Sequence, residues 1–214
     1  MTVVDVLTRF FSHRNAAIVR LGAVYIYPSA IFLPALIYFL SAGYFVLLTA
    51  IAVAIHELGH YAALKLFGGE IKQLKLWIGG VSMVYGGLGY TGEAIAALSG
   101  PAASLLLAIV SSLFGRVFLN DAASVPAYQL SGLSLLLAGF NMLPVFPLDG
   151  GRALYSVSAR IFGLGAAERV RKCCAIVVTG AIGVAGGVVL WDSGNPTLFA
   201  AAAALALGAA GVEE

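Results

Sequence analysis

Apolar runs that are long enough to cross a lipid bilayer as helices dominate this chain. Only 10% of its residues are charged and 61% are hydrophobic, whereas soluble globular domains carry about 25% charged residues. We therefore predict an α-helical, polytopic membrane protein in which residues 1–214 form a single domain of about six transmembrane helices. The predicted spans lie near residues 24–40, 43–67, 94–114, 127–145, 173–191 and 196–212.

The distribution of basic residues predicts how these helices are oriented. Of the 12 Lys and Arg residues, all but one lie before the first span, around the loop after the second, or between the fourth and the fifth. Arg116 lies alone on the opposite side. We therefore expect a multi-pass protein of the cell membrane with both termini on the cytoplasmic side. The net charge of +2 is too small to indicate a nucleic-acid partner.

Two of the three histidines lie four residues apart inside the second span, and a glutamate directly follows the first. On a helix, positions i and i+4 share a face, so the imidazoles of His56 and His60 can reach one metal ion. The carboxylate of Glu57 then lies beside that ion, where it can accept a proton from an activated water. Ionisable groups are costly in a membrane segment, which favours a functional site over two core histidines that hydrogen-bond to each other.

The segment between Gly68 and Gly92 differs from the apolar runs around it. Short β-prone stretches are separated and followed by glycine pairs, a pattern typical of a hairpin or a small sheet at the cytoplasmic side. A strand edge beside a metal site could hold an extended peptide by strand addition. The alternative is a plain amphipathic loop that connects two spans.

A second polar motif stands at the end of the fourth span. Two prolines interrupt its helical regularity, and Asp149 is followed by two glycines that permit tight backbone geometry. A metal held by two histidines needs a third ligand and keeps one position open for water. Asp149 meets that need, with the carboxylates of Glu70 and Glu93 as alternatives. The remaining histidine, His13, lies in the basic N-terminal stretch and is not expected to bind metal.

Taken together, these motifs resemble those of the site-2 protease family of intramembrane zinc metalloproteases. The resemblance covers nearly the whole chain and is closest to the compact bacterial and archaeal members. The chain departs from larger relatives in lacking an inserted PDZ domain and a C-terminal CBS domain, so regulation through those modules is not expected. The matching features are His-Glu-Leu-Gly-His at 56–60, Asn-x-x-Pro-x-x-Pro-Leu-Asp-Gly-Gly at 141–151, the Gly79-Gly80-Val81 turn, and Gly100-Pro101.

The resemblance implies specific roles for the site residues. One Zn²⁺ per chain would be held by His56, His60 and Asp149. Glu57 would act as general base and acid, and Asn141 would contact the substrate or the developing oxyanion. The Gly79-Gly80-Val81 turn would belong to the substrate-binding surface.

The function that the resemblance implies is regulated intramembrane proteolysis, a zinc-dependent hydrolysis of a peptide bond in a transmembrane segment. The substrates would be membrane-tethered regulatory proteins in the same lipid bilayer, such as an anti-sigma factor or a membrane-tethered transcription factor. Water would reach the site from the cytoplasm past the Gly68–Gly92 segment. One alternative is a zincin of the prenyl-protein-processing type, which needs a downstream glutamate ligand. Another is a membrane metal transporter or an inactive metal-binding scaffold.

Overall fold

The structure is a computed structural model and describes residues 19–21, 24–26, 35, 43–77, 80–118 and 120–210. Within these residues, four strands and six helices follow one another along the chain. The predicted fold class, a mostly helical protein with a small sheet, is confirmed. In chain order the elements are β1 (Val19–Leu21), β2 (Val24–Ile26), α1 (Gly43–Leu66), β3 (Glu70–Trp77), β4 (Gly80–Gly86), α2 (Tyr90–Phe118), α3 (Asp121–Asn141), α4 (Asp149–Phe162), α5 (Leu164–Ser193) and α6 (Thr197–Ala210).

Three helices of the described part, α1, α2 and α5, are long and apolar enough to cross a membrane. They overlap the predicted spans 43–67, 94–114 and 173–191. Helices α3 and α6 overlap two further predicted spans, but α6 has only 14 residues, and membrane crossing by these two helices stays a prediction. The first predicted span, 24–40, begins with strand β2, and apart from residue 35 the rest of it lies outside the described residues.

The strands form one sheet in the order β1-β2-β3-β4. Strands β3 and β4 pair antiparallel as a hairpin flanked by Gly68 and Gly87, whose positive φ angles suit glycine. The predicted hairpin is therefore confirmed, and the alternative of a plain loop is wrong. Strand β2 pairs in parallel with β3, so its β-branched and aromatic residues start the first predicted span as sheet rather than helix. Among the described strands, β4 pairs on one side only, which leaves its outer edge open.

Helix α2 lies at the centre of the helical part and contacts α1, α3 and α4. One of its faces carries a buried small residue or a proline every three or four positions, which is the spacing of a single helix face. Small residues let neighbouring helices approach closely in membrane proteins. Helices α1 and α4 therefore both pack against α2, which brings their polar side chains close to one another. The positions are Ala94, Ala97, Pro101, Ser104, Ala108, Ser111 and Gly115.

Candidate metal centre

Three side chains from two helices converge on one point. His56 and His60 lie one turn apart on α1, and Asp149 is the first residue of α4. The Nε2 atoms of the two imidazoles are 3.2 Å apart. Oδ2 of Asp149 lies 3.1 Å from Nε2 of His56 and 3.2 Å from Nε2 of His60. The structure thus places these three residues, called the metal cluster below, in direct contact.

The spacing of the ligand atoms in the metal cluster fits a zinc ion. Zinc binds histidine nitrogens and carboxylate oxygens at about 2.0–2.2 Å, so two corners of its tetrahedron lie about 3.3–3.6 Å apart. The observed separations of 3.1–3.2 Å come within a few tenths of an ångström of that range. Two nitrogens and one oxygen leave a fourth position for water or substrate, as catalytic zinc sites require. The cluster therefore fits one zinc ion.

Helix α2 orients both imidazoles of the cluster. Nδ1 of His60 lies 2.7 Å from the carbonyl oxygen of Ala96, which can only accept, so Nδ1 carries the proton and donates it. Nδ1 of His56 lies 2.9 Å from Oγ of Ser104, a fully buried hydroxyl that can accept in the same way. Contacts of this kind select the ligating nitrogen and fix the orientation of the ring in metal sites.

The hydrogen bond to Ala96 also helps to distinguish a metal site from two core histidines that only hydrogen-bond to each other. With its proton on Nδ1, a neutral His60 presents a lone pair on Nε2. That lone pair faces a carboxylate oxygen of Asp149 at 3.2 Å, so the contact is not a hydrogen bond of the neutral ring. A cation between two such acceptors, either a proton or a metal ion, removes their repulsion in a buried site. The convergence of two histidine nitrogens and a carboxylate oxygen on one point is the arrangement that a metal ion needs.

Gly100 on α2 leaves space for the imidazole of His60, which lies on α1. A Cβ atom at position 100 would lie 2.1 Å from Nε2 of His60, which is closer than real Cβ atoms approach other atoms. The ring therefore lies directly against the α2 backbone. Ala96, Gly100 and Ser104 recur every four residues, so one face of α2 supplies an acceptor, a space and a hydroxyl to the two histidines.

Glu57 and Asn141, the two other residues to which the sequence assigns chemistry, lie in different settings. Glu57 is half-buried on α1, and its carboxylate interacts electrostatically with all three residues of the metal cluster. Asn141 is the last residue of α3, and its amide nitrogen donates to the carbonyl of Leu137 at 2.9 Å. The roles predicted for both residues stay predictions.

The alternative ligands lie apart from the metal cluster. Glu93, in the first turn of α2, accepts a hydrogen bond from the hydroxyl of Ser156 at 3.2 Å. Glu70 is exposed at the start of β3, where it pairs with Gly86. Neither carboxylate joins the two histidines in the group that could hold a metal ion. His13 lies outside the described residues.

The Gly79-Gly80-Val81 turn is described in part. Gly80 and Val81 are the first two residues of β4 and pair with the last two residues of β3, while Gly79 lies outside the described residues. Two of the three residues of the predicted turn thus belong to strand β4 rather than to a turn. The predicted contact of these residues with substrate stays a prediction.

Strand β4 is joined to α4 one turn beyond the aspartate of the metal cluster. The guanidinium of Arg152 donates a hydrogen bond to the phenol oxygen of Tyr85, and its central carbon lies 5.0 Å from the ring centroid. Burial raises the pKa of Tyr85, against an opposing effect of the Arg152 charge. The phenol is therefore protonated at neutral pH and meets the cation as a neutral acceptor.

The sequence did not reveal Ser104, Ala96, Tyr85 or Arg152 as partners of the site. A signal for the first two is present, because small residues at 96, 100 and 104 repeat with the same four-residue spacing as the histidines. Arg152 follows the Asp-Gly-Gly motif directly, but its partner lies in a strand 67 residues earlier. No local pattern indicates that contact.

Curated proteins similar to this chain carry zinc metalloprotease names. The chain is 37% identical over 119 residues to zinc metalloprotease MJ0392 of Methanocaldococcus jannaschii, which covers 55% of this chain and 35% of that protein. It is 34% identical over 174 residues to putative zinc metalloprotease Rip3 of Mycobacterium tuberculosis, which covers 73% of this chain and 43% of that protein. The chain thus spans less than half the length of these two relatives.

A solved structure matches over nearly the full chain. The fold is similar to that of a site-2 protease from Methanocaldococcus jannaschii, with a TM-score of 0.68 and 25% sequence identity. The match covers 90% of this chain and 92% of that one. No family model matches the chain.

Proposed function

Because the chain belongs to the site-2 protease family of membrane zinc metalloproteases, we propose that it is a zinc-dependent endopeptidase that cleaves transmembrane segments. The observation that carries this proposal is the metal cluster within the helical part, with the carboxylate of Glu57 in electrostatic range of all its members. Two histidines, an aspartate and an adjacent carboxylate are the side chains that metal-assisted peptide hydrolysis needs.

The proposed chemistry divides between the ion and the chain. When bound, zinc supplies a Lewis acid that polarises the scissile carbonyl and lowers the pKa of the attacking water. His56 and His60 would hold the ion through Nε2, and Asp149 would hold it through a carboxylate oxygen. Glu57 accepts a proton from the water as it attacks the carbonyl carbon and returns it to the leaving amine nitrogen. Asn141 donates a hydrogen bond to the substrate.

The edge of β4 with which no described strand pairs supports a proposed mode of substrate binding. A transmembrane helix must open before it is cut, because each of its carbonyls accepts an intrahelical hydrogen bond. In lipid, each freed backbone group costs several kcal/mol unless it finds a new partner. The outer edge of β4 offers such partners to an extended peptide. Substrates with Gly, Asn or Pro near the scissile bond should therefore be cut faster than matched Leu-rich versions, and equal rates would argue against this mode.

The proposed orientation places the hairpin and the entrance to the site on the cytoplasmic side. Lys72 and Lys75 lie on β3, in the hairpin that precedes α2, whereas Arg116 lies in the last turn of that 29-residue helix. The two ends of α2 are about 40 Å apart, more than the thickness of the hydrocarbon core. Impermeant thiol reagents should label Asn120→Cys from outside the cell, and labelling from the cytoplasmic side alone would reverse the orientation.

Membrane-tethered regulatory proteins are the proposed substrates, such as an anti-sigma factor or a transcription factor held at the membrane. A protease that opens toward the cytoplasm releases the cytoplasmic part of its substrate. Comparing the tethered and released forms of a candidate regulator in cells with the parent enzyme and with Glu57→Gln tests this proposal. Equal release in both strains would contradict it for that regulator.

The activity itself is tested with the full chain in liposomes and a labelled single-span substrate whose helix contains Gly and Asn. Glu57→Gln keeps the size of the side chain but removes the proton acceptor, so cleavage should fall by about 10²–10⁴-fold. The variant should keep one zinc per chain, and Tyr128→Phe, an exposed change on α3, should cleave like the parent. Cleavage by Glu57→Gln at the parental rate, or cleavage that survives chelation, would contradict the proposal. Zinc binding without cleavage would favour a transporter or a scaffold.

A further inference from the structure

The contact between Arg152 and Tyr85 joins the helix that carries Asp149 to the edge strand of the sheet. We propose that Arg152 is a positioning residue, which through Tyr85 sets where a substrate paired with β4 lies relative to the metal cluster. The inference rests on the proposed function, because it concerns how the substrate of that same site is held. The proposal assigns Arg152 and Tyr85 a role in positioning the substrate, which is separate from the roles of the metal ligands and of the general base.

One face of α4 makes all the contacts that this task needs. Positions 149, 152 and 156 are three and four residues apart, so their side chains share a face of the helix. Asp149 joins the metal cluster, Arg152 reaches Tyr85 on β4, and the hydroxyl of Ser156 donates to Glu93 on α2. Successive turns of α4 thus carry the metal ligand, contact the edge strand β4 and contact the central helix α2. A shift of β4 against α4 is a shift of the paired substrate against the metal.

Tyr85 also has contacts outside α4. It packs against the buried cluster of Ala63, Leu64 and Ala96. The first two residues lie on the turn of α1 that follows His60. The carbonyl of Ala96 accepts the hydrogen bond from Nδ1 of His60. Tyr85 therefore connects the edge strand to the same turns of α1 and α2 that hold a metal ligand.

The chemistry of the pair makes arginine the residue of choice. A planar guanidinium can lie over an aromatic ring and donate a hydrogen bond from its edge, whereas an ammonium group offers a compact charge. If Arg152 only supplied positive charge near the metal cluster, lysine would replace it fully. Removal of the Tyr85 hydroxyl would then have no effect. A positioning role predicts the opposite on both counts.

Tyr85→Phe removes the hydrogen-bond acceptor and keeps the ring. Because the lost bond is one to a charged donor, the KM for a single-span substrate should rise about tenfold while kcat stays within about twofold. Cleavage should also spread to neighbouring peptide bonds, which mass spectrometry of the products detects. Arg152→Gln should do the same, and Arg152→Lys should recover only part of the loss. Zinc content should remain one per chain in all three variants.

Two control variants and a double-mutant cycle distinguish a positioning role from a general loss of structure. Arg160→Gln is an exposed change on the same helix and Tyr128→Phe an exposed loss of a phenol hydroxyl, and both should match the parent. The double variant Tyr85→Phe/Arg152→Gln should be no worse than the single variants, because the two residues act as one unit. Additive losses, or full rescue by Arg152→Lys, would overturn the inference.

A readout that needs no substrate keeps this inference separate from the proposed activity. Amide hydrogen exchange of β4 should become about tenfold faster in Tyr85→Phe and Arg152→Gln than in the parent, because the strand loses its anchor on α4. Unchanged exchange in β4 would overturn the positioning role even if the parent is an active protease. Faster exchange in a chain that cleaves nothing would support the anchor, and the proposed protease function would fail alone.

Discussion

Helix α2, against which the metal cluster packs, and helix α5 of the α5–α6 pair are both apolar, yet protein atoms cover them to very different extents. In the most apolar 18-residue stretch of each helix, 44% of the residues of α2 are buried, against 6% in α5. Helix α2 faces the imidazoles with the hydroxyl of Ser104 and the carbonyl of Ala96. Helix α5 instead exposes branched apolar side chains such as Ile176 and Val177.

This difference shows what a polar site in a membrane protein requires. Polar groups at membrane depth are tolerated where other protein groups cover and pair them. Small residues every three or four positions let α1 and α4 approach α2 closely enough to cover such groups. Apolar composition alone therefore indicates residence in the membrane, whereas a polar site also needs a neighbouring helix that covers and pairs its polar groups. The same kind of substitution should have unequal effects in the two regions.

The largest effect is expected from removing a ligand. Asp149→Ala should lower the zinc content from one per chain toward zero and abolish cleavage, because two histidines alone leave the ion without its anionic ligand. Glu93→Gln, which alters the rival carboxylate, should retain zinc. The measurement is zinc per mole of purified protein by mass spectrometry. An Asp149→Ala variant that binds zinc like the parent and still cleaves would remove this residue from the metal cluster.

A single methyl group on α2 should act almost as strongly. Gly100→Ala would place a Cβ atom 2.1 Å from Nε2 of His60, so the ring must leave its position and zinc content should fall at least about tenfold. Gly139→Ala on α3 is the matched control, because a Cβ atom there meets nothing within 4 Å. Equal zinc content in the two variants would show that His60 does not need the observed contact with α2.

Loss of the hydroxyl at 104 should weaken zinc binding without abolishing it. Ser104→Ala removes the partner of Nδ1 of His56, and contacts of this kind are worth about 10–100-fold in metal affinity. Ser193→Ala, at the exposed end of α5, should leave the affinity unchanged. Competition with a chelator of known affinity measures both variants. An unchanged zinc affinity in Ser104→Ala would mean that packing alone orients the imidazole.

In the α5–α6 pair, even a steric clash should leave the metal untouched. A Cβ atom at Gly186 would lie 2.6 Å from the backbone nitrogen of Phe199, so Gly186→Ala should destabilise the pair by about 1–3 kcal/mol and lower the melting temperature. Gly187→Ala meets nothing within 4 Å and should melt like the parent. Both variants should keep one zinc per chain. Loss of zinc in Gly186→Ala would show that packing of the α5–α6 pair and metal binding are coupled.

Local features of the sequence predict those parts of the structure that depend on residue spacing and on turn-forming residues. The four-residue spacing of His56 and His60 places both on one face of any helix. The glycine pairs around the β-prone stretches indicated the hairpin of β3 and β4. Asp149 was proposed as a third ligand from ligand chemistry, and the structure places it 3.1 Å and 3.2 Å from the two histidines.

Features that depend on the packing of segments distant in the chain could not be predicted from the sequence. Strand β2 pairs in parallel with β3 some 50 residues later, and the apolar residues of that strand are equally suited to a membrane helix, so a span was predicted there. The contact between Arg152 and Tyr85 likewise depends on how α4 lies against the sheet. Neither is encoded by periodicity or by a local motif.

Anomalous X-ray scattering at the zinc edge, recorded from crystals of the purified full chain, tests the central claim most directly. The claim is that helices α1 and α4, packed on α2, assemble one zinc site within the covered part of the molecule. The account predicts one strong peak about 2.0–2.2 Å from Nε2 of His56, Nε2 of His60 and a carboxylate oxygen of Asp149. A zinc peak elsewhere, or zinc-loaded protein with no peak between these three atoms, would contradict it.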